Sequence, residues 1–350
     1  MLTFTDSHYF FFQKSLLTWY NQNKRDLPWR TTQNPYFIWL SEVILQQTRV
    51  KQGLPYYQRF IEEFPTIQAL AEAETEQVLR VWQGLGYYSR ARNMHQTARI
   101  IWHEHHGQFP PTYAQLLTLK GIGPYTAAAI AAFAFHEPVA AVDGNVFRVL
   151  ARIFGIDTDI QSTRARKEFT EIANLLLPES HAADFNQAMM EFGATQCVPQ
   201  NPVCLFCPAQ SICFAFQNQA QANFPVKEKK TKVRPRYFHY WIIQSPAKKI
   251  ILKKRAEKDI WQDLYEFPLV ELKEFSEEPH FPDWIQPDTT VQKGLTVTHL
   301  LSHQKLFITF WHIQTPNENP AHDWYTETEI ETLPKPIVIE QAWKQFVRSF

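Results

Sequence analysis

The sequence carries no net charge, with 35 Lys and Arg matched by 35 Asp and Glu. A basic excess is the usual mark of a protein that holds a polyanion by bulk electrostatics. Any contact with nucleic acid must therefore run through local patches and main-chain amides. Long apolar runs are also missing. No stretch nears the roughly 18 consecutive apolar residues of a membrane span. The opening MLTFTDSHYFFFQKS has neither the basic start nor the sustained apolar core of a secretory leader. Cysteine is confined to four residues between Cys197 and Cys213, which excludes a disulfide framework spread through a secreted chain. There is no internal repeat and no low-complexity segment. These absences predict a soluble cytoplasmic chain with no membrane partner.

What is present divides in two, as 350 residues commonly do. Up to about Ala215, apolar residues recur every three or four positions, as in YFIWLSEVILQQT, YTAAAIAAFAF, VFRVLARIF and FTEIANLLL. That is the period of helices with a buried face, and Pro110-Pro111 and residues 121–124 punctuate it. Residues 226–236, VKEKKTKVRPR, hold six basic residues and one acidic. They are expected to form a linker, either a solvated tether or a contact to a DNA backbone. Beyond it, YFHYWIIQ, KKIILKKR and KLFITFWHI are rich in aromatic and β-branched residues and predict strands, with SPAK as a hairpin turn. The terminal VIEQAWKQFVRSF places Val338, Ala342, Trp343 and Phe346 on one helical face.

Three features carry chemistry. The four cysteines Cys197, Cys204, Cys207 and Cys213 are spaced C-x6-C-x2-C-x5-C. Zinc and a [4Fe–4S] cluster both accept four thiolates, and the spacing alone does not decide between them. Gly121 and Gly123 in LKGIGPYTAA make a tight turn into a helix, whose N-terminal amides suit a phosphate. Asp143 precedes a helix, as an N-cap does. Glu42 has Ile38, Trp39 and Leu45 among its helical neighbours, and desolvation on such a face raises a carboxyl pKa.

Together these motifs resemble the endonuclease III superfamily of helix-hairpin-helix DNA glycosylases, and within it the MutY-type adenine DNA glycosylases. The resemblance runs through LPWR (residues 27–30), SEVILQQT, GLGYYSRARN, the hairpin, VDGNVFRVLAR, FNQAMMEFG and the cysteine loop. It continues more loosely through IWQDLYEFP and THLLSH. It implies a mainly α glycosylase region over residues 1–225, then a linker at 226–236 and an α+β Nudix-like domain at 237–350. Within the first region, a six-helix subdomain covers about 27–138, and an iron–sulfur subdomain joins 1–26 to 139–225.

By the same resemblance the cysteines hold one [4Fe–4S] cluster with a structural role. Glu42 is the general acid and Asp143 the carboxylate facing the sugar, with Asn145 and Tyr125 as their polar partners. Arg25, Trp29, Arg30, Leu45 and Gln187 line an adenine pocket. Gln47, Thr48, Leu85 and Tyr87 enter or border the DNA stack, and Gly121 and Gly123 grip the backbone with a monovalent or divalent cation. Leu301, Ser302 and His303 match the family's Phe-Ser-His lesion-recognition motif, with leucine replacing phenylalanine. Tyr125 stands where bifunctional relatives carry a Schiff-base lysine, which implies base release with little strand cleavage. The Nudix catalytic signature is absent from the second domain. The expected partner is duplex DNA with adenine opposite 8-oxoguanine or guanine, met by a monomer. The alternatives are a superfamily glycosylase specific for mismatched thymine or oxidised pyrimidines, and a catalytically silent DNA-binding protein.

Overall fold

The structure, a computed structural model, describes residues 5–228, 232–285 and 290–348. They cluster into two compact units. One takes the described residues up to Ala71 and from Gln96 to Glu228; the other takes Glu72–His95 and the described residues from Lys232 onward. Among the described residues no helix is long and apolar enough to cross a membrane.

The first unit is helical, and its helix starts are written locally. Asn34 caps the Pro35–Leu45 helix by accepting from the Tyr36 N–H, and proline fills the first turn, where its missing N–H costs nothing. Pro124 opens the Pro124–Phe135 helix in the same way. The turn before it needs glycine, since Gly121 has φ +82°, a region other residues rarely occupy. The Pro124–Phe135 helix buries nearly all of its length because it packs against Pro35–Leu45, Tyr113–Leu116 and Ala182–Thr195. A second core joins Phe12, Leu16 and Tyr20 of the Asp6–Asn23 helix to Val149, Leu150, Phe169, Phe185 and Phe192. The chain's beginning thus packs beside the helices that precede the cysteine loop.

The second unit is built on eight strands among the described residues: β1 Arg234–Gln244, β2 Ile250–Ile251, β3 Lys253–Lys254, β4 Tyr265–Glu266, β5 Leu269–Leu272, β6 Val291–Leu300, β7 Gln304–Gln314 and β8 Trp324–Tyr325. The main sheet runs β6-β7-β1-β2-β8, with β5 also on β1; β3 and β4 form a separate ribbon. β1 and β7 pair in parallel from Arg234↔Gln304 to Gln244↔Gln314, and the other pairings are antiparallel. Alternate residues face opposite sides: Tyr240 stacks on Phe310 at 5.5 Å, and Trp241 lies against Trp311 at 6.1 Å. The expected turn at SPAK is present, with the Lys248 N–H donating to the Ser245 carbonyl at 2.9 Å. The terminal helix Ile337–Arg348 buries Val338, Ala342, Trp343 and Phe346 as its period predicts.

Two findings differ from the expected organisation. β1 begins at Arg234, inside the stretch expected to be linker, while residues 229–231 of that stretch lie outside the described residues. Arg236 is not free for DNA. It is buried, forked onto Glu271 at 2.7 Å through both Nε and Nη2, and bonded to Asp259 at 2.6 Å. The second unit also contains Glu72–His95. There Glu76 accepts from Lys254 Nζ and Tyr265 Oη at 2.8 Å each, and Arg92 donates to the Gln262 carbonyl at 2.8 Å.

Candidate active site

A cavity of about 880 Å³ opens in the helical unit, the size of a small-molecule site. It gathers Glu42, Tyr125, Asp143 and Asn145. Arg25, Trp29, Arg30, Leu45 and Gln187 line it too, as do Gln47, Thr48, Gly121 and Gly123 towards the hairpin.

Glu42 is 7% exposed, and the Tyr125 hydroxyl, itself 3.3 Å from Met190 Sδ, donates to its Oε2. Burial pushes the Glu42 pKa up to about 7; the Tyr125 bond and Arg30 oppose the rise and Asp143 adds to it. Burial also raises the Tyr125 phenol well above its ordinary value, so it stays a neutral donor. Asp143 caps the Gly144–Phe154 helix: one oxygen accepts from the N–H groups of Asn145 at 2.9 Å and Val146 at 2.8 Å, the other from Asn145 Nδ2 at 2.7 Å. Burial pushes its pKa up, and the Val146 and Asn145 donors and then Arg148 pull it back. The two carboxyls therefore differ in kind. Glu42 has one donor and a dry wall, while Asp143 has three donors at the positive end of a helix.

The Ala182–Thr195 helix supplies residues that sequence reasoning missed. Glu191, 1% exposed, receives Arg25 through Nε at 2.6 Å and Nη2 at 2.7 Å, and Arg30 at 2.6 Å. These arginines are held by one buried carboxylate whose pKa they lower against its burial. Asn186 clasps the segment leading to Asp143, accepting from the Ala141 N–H at 2.9 Å and donating to the Val139 carbonyl at 2.8 Å. Tyr20 donates to Gln187 Oε1 at 2.7 Å. Gly193 permits this helix to reach Asn145, because a Cβ there would lie 2.6 Å from the Asn145 Cβ. The only sequence signal for these residues was their place in FNQAMMEFG, since nothing local marks a partner 45 or more positions away.

The four cysteines line a separate small cavity with Arg152. Among the described residues, no three His, Cys, Asp or Glu side chains are grouped to hold a single metal ion. Arg152, buried, donates to Cys197 Sγ at 3.4 Å, to the carbonyls of Val198 at 2.7 Å and Pro199 at 2.9 Å, and across to Gln221 at 3.0 Å. One turn earlier, Arg148 donates to the Cys197 carbonyl at 2.8 Å and to Asn145 Oδ1 at 2.9 Å. The helix capped by Asp143 thus ties that carboxylate to the cysteine loop. Replacing Arg152 with Met strands several buried acceptors at about 1–3 kcal/mol each. The variant is expected to unfold roughly 5 °C lower in calorimetry.

The remaining expected residues lie in the second unit. Ser302 and His303 stand exposed at the tip joining β6 to β7, closed by the Leu301 N–H donating to the Gln304 carbonyl at 2.8 Å. The Ser302 hydroxyl is hydrogen-bonded to the Tyr87 hydroxyl. Tyr87 is 45% exposed, whereas Leu85 is buried.

Comparison with known proteins agrees with this architecture. Residues 40–174 match the model of the HhH-GPD superfamily of base excision DNA repair proteins, and residues 239–345 match a NUDIX domain. The helical fold resembles a thermostable thymine-DNA glycosylase with TM-score 0.57 and 28% identity, over 61% of this chain and 98% of that one. It also resembles a trapped endonuclease III–DNA covalent intermediate with TM-score 0.55 at 21% identity, over 62% and 99%, a likeness of fold. Fold and site define a DNA N-glycosylase of the helix-hairpin-helix class. The chain is 36% identical over 302 residues to the adenine DNA glycosylase of Buchnera aphidicola subsp. Baizongia pistaciae, covering 85% of this chain and 84% of the relative. It is 33% identical to that of Homo sapiens, over 97% and 74%. The chain belongs to the adenine DNA glycosylase family.

Proposed function

We propose that the protein removes adenine mispaired with 8-oxoguanine or guanine from double-stranded DNA, hydrolysing the N-glycosidic bond of a flipped-out nucleotide. The observation that carries this reading is the pairing, in one cavity, of a buried Glu42 that retains its proton near neutrality with a capped Asp143. An adenine inside a duplex is out of reach, so it must be extruded, and the exposed Tyr87 is the side chain that enters the vacated stack. Arg25, Trp29, Arg30, Leu45 and Gln187 then surround the base.

Adenine is a poor leaving group as an anion. Glu42 gives its proton to the ring, at N7, and the C1′–N9 bond breaks with both electrons going to a neutral base. The positive charge left on the deoxyribose is met by the Asp143 carboxylate, oriented by Asn145. Water adds to C1′, its proton returning to the Glu42 carboxylate, and leaves an abasic site. The amides around Gly121 and Gly123, at the start of the Pro124–Phe135 helix, receive a phosphate, with a monovalent or divalent cation at the turn. Ser302 and His303 read the lesion. The protein acts as a monomer in a bacterial cytoplasm, at the nucleoid, with residues 1–225 as the glycosylase and 237–350 as the reader.

The donor set around the cysteines suits an anionic sulfur cluster. Burial raises the thiol pKa of Cys197, Cys207 and Cys213, while Arg152 and Arg148 oppose that rise at Cys197 and main-chain N–H groups oppose it at Cys207 and Cys213. Cys197, Cys204, Cys207 and Cys213 would hold one [4Fe–4S] cluster, whose contribution is to order the loop.

The test is purified protein on duplexes carrying A opposite 8-oxoguanine, A opposite G, T opposite G, and thymine glycol. Release of adenine alone is expected, and release of thymine glycol without adenine sinks the proposal in favour of another superfamily specificity. Tyr125 cannot form a Schiff base, so borohydride is expected to trap little covalent adduct. Trapping as efficient as a true lyase's overturns that part.

A further inference from the structure

Lys335 is a fully buried lysine that the proposed chemistry does not use. It sits in residues 333–336, between the helices Glu327–Thr332 and Ile337–Arg348. Its ammonium donates to the carbonyls of Ile330 and, at 3.0 Å, Leu333, and pairs with Glu340 at 3.2 Å. A buried charge so enclosed fixes the conformation of the link around it, because releasing any partner leaves it unsatisfied.

The main chain of Lys335 faces the other way, onto the Glu72–His95 segment of the same unit. Its N–H donates to Gln83 Oε1 at 2.9 Å, and its carbonyl accepts from the Tyr88 hydroxyl at 3.3 Å. That hydroxyl in turn accepts from the Gly84 N–H at 3.4 Å. Gln83 and Tyr88 bracket a loop of unusual backbone, in which Gly84, Gly86 and Tyr87 have φ of +101°, +73° and +48°. For a tyrosine this is an uncommon conformation that its surroundings must hold. The loop's own bonds, such as Trp82 Nε1 to the Gly86 carbonyl at 2.9 Å, brace its inside. The Lys335 main chain braces both of its ends.

We infer that Lys335 is a positioning residue for Tyr87: its buried ion pair sets the 333–336 link, whose main chain holds Gln83 and Tyr88 and so presents the Tyr87 ring. This rests on the reading of Tyr87 as the side chain that enters the DNA stack. The C-terminal domain then does more than offer Ser302 to the lesion, since it also sets the insertion loop.

A double-mutant cycle on the full chain tests this. Single-turnover excision of adenine opposite 8-oxoguanine is measured for Lys335→Met, Tyr88→Phe and Tyr87→Ala, and for each of the first two combined with Tyr87→Ala. Rates are normalised to titrated active sites, and 2-aminopurine beside the lesion reports unstacking. Tyr88→Phe removes one hydroxyl only, and keeps the test alive if Lys335→Met fails to fold. Lys335→Met and Tyr88→Phe are each expected to slow excision about tenfold, the scale of coupling within one network. Each is expected to diminish the fluorescence rise, and neither to slow Tyr87→Ala further. Equal losses in both backgrounds overturn the inference, as do wild-type rates in both single variants. If Tyr87→Ala itself excises at the wild-type rate, the stack-entry reading falls and takes the inference with it.

Discussion

Glu42→Gln is expected to slow adenine excision by about 10³-fold, within the range that one positioned general acid supplies, while duplex binding stays near wild type. The amide keeps the volume and still accepts from the Tyr125 hydroxyl, so the wall of the cavity is retained and only the proton is lost. The pH dependence follows from the same carboxyl. With its pKa pushed up to about 7, Glu42 is protonated below that pH, and wild-type excision is expected to fall as pH rises through it.

The stability consequence has the opposite sign from the loss of function. Between the ordinary carboxyl pKa of 4.5 and the folded value of about 7, the native state holds a proton that the unfolded state does not. Wild-type stability therefore declines as pH rises across that window, by at most about 3 kcal/mol. Glutamine has no such slope. Urea unfolding of both proteins at pH 5 and pH 8 should show the variant gaining on wild type at the higher pH. Equal pH dependence in the two would mean that Glu42 is not desolvated as its burial requires.

Asp143→Asn is expected to lower excision by about 10²–10³-fold, the scale of one lost electrostatic partner at a developing charge, again with binding retained. Asparagine is as good an N-cap as aspartate, and its carbonyl can still receive the Asn145 and Val146 amides. The new NH2 faces the Asn145 Nδ2 donor and leaves it unpaired, which costs about 1–3 kcal/mol of stability. The two variants separate by the cap: Glu42→Gln keeps its Tyr125 bond, whereas Asp143→Asn loses the Asn145 Nδ2 bond at every pH, and both gain on wild type as pH rises because burial raises both carboxyls. Loss of duplex binding in both would instead assign the carboxyls to structure.

Much of the site was legible in the sequence because its signals are local. Asp143 stands before an apolar period, as a cap must. Glu42 stands between Ile38 and Leu45, where burial raises its pKa. The four cysteines lie within one loop, and the hairpin glycines flank a single isoleucine. The strands β1 and β7 were marked by β-branched and aromatic runs. β6, VQKGLTVTHL, was not marked, because its glycine and alternate polar residues disguise a strand with one solvated face.

The boundary of the linker failed for a related reason. Arg234 and Arg236 read as charge, and charge reads as solvent, but Glu271 and Asp259 neutralise Arg236 where it is buried on β1. Local pattern states a residue's polarity, and rarely states what it packs against.

The sequence by itself therefore determined where helices start, which stretches become strands, which four thiols share a loop, and the family. Only the tertiary structure decided the company these residues keep: Tyr125 on Glu42, Arg25 and Arg30 on Glu191, Tyr20 on Gln187, Arg152 on the cysteine loop, and residues 83 and 88 on the main chain of Lys335. Caps, turns and periodicity are set by neighbours a few positions apart. A partner more than 40 positions away is chosen by the packing of whole helices and sheets, and no short window of sequence contains that packing.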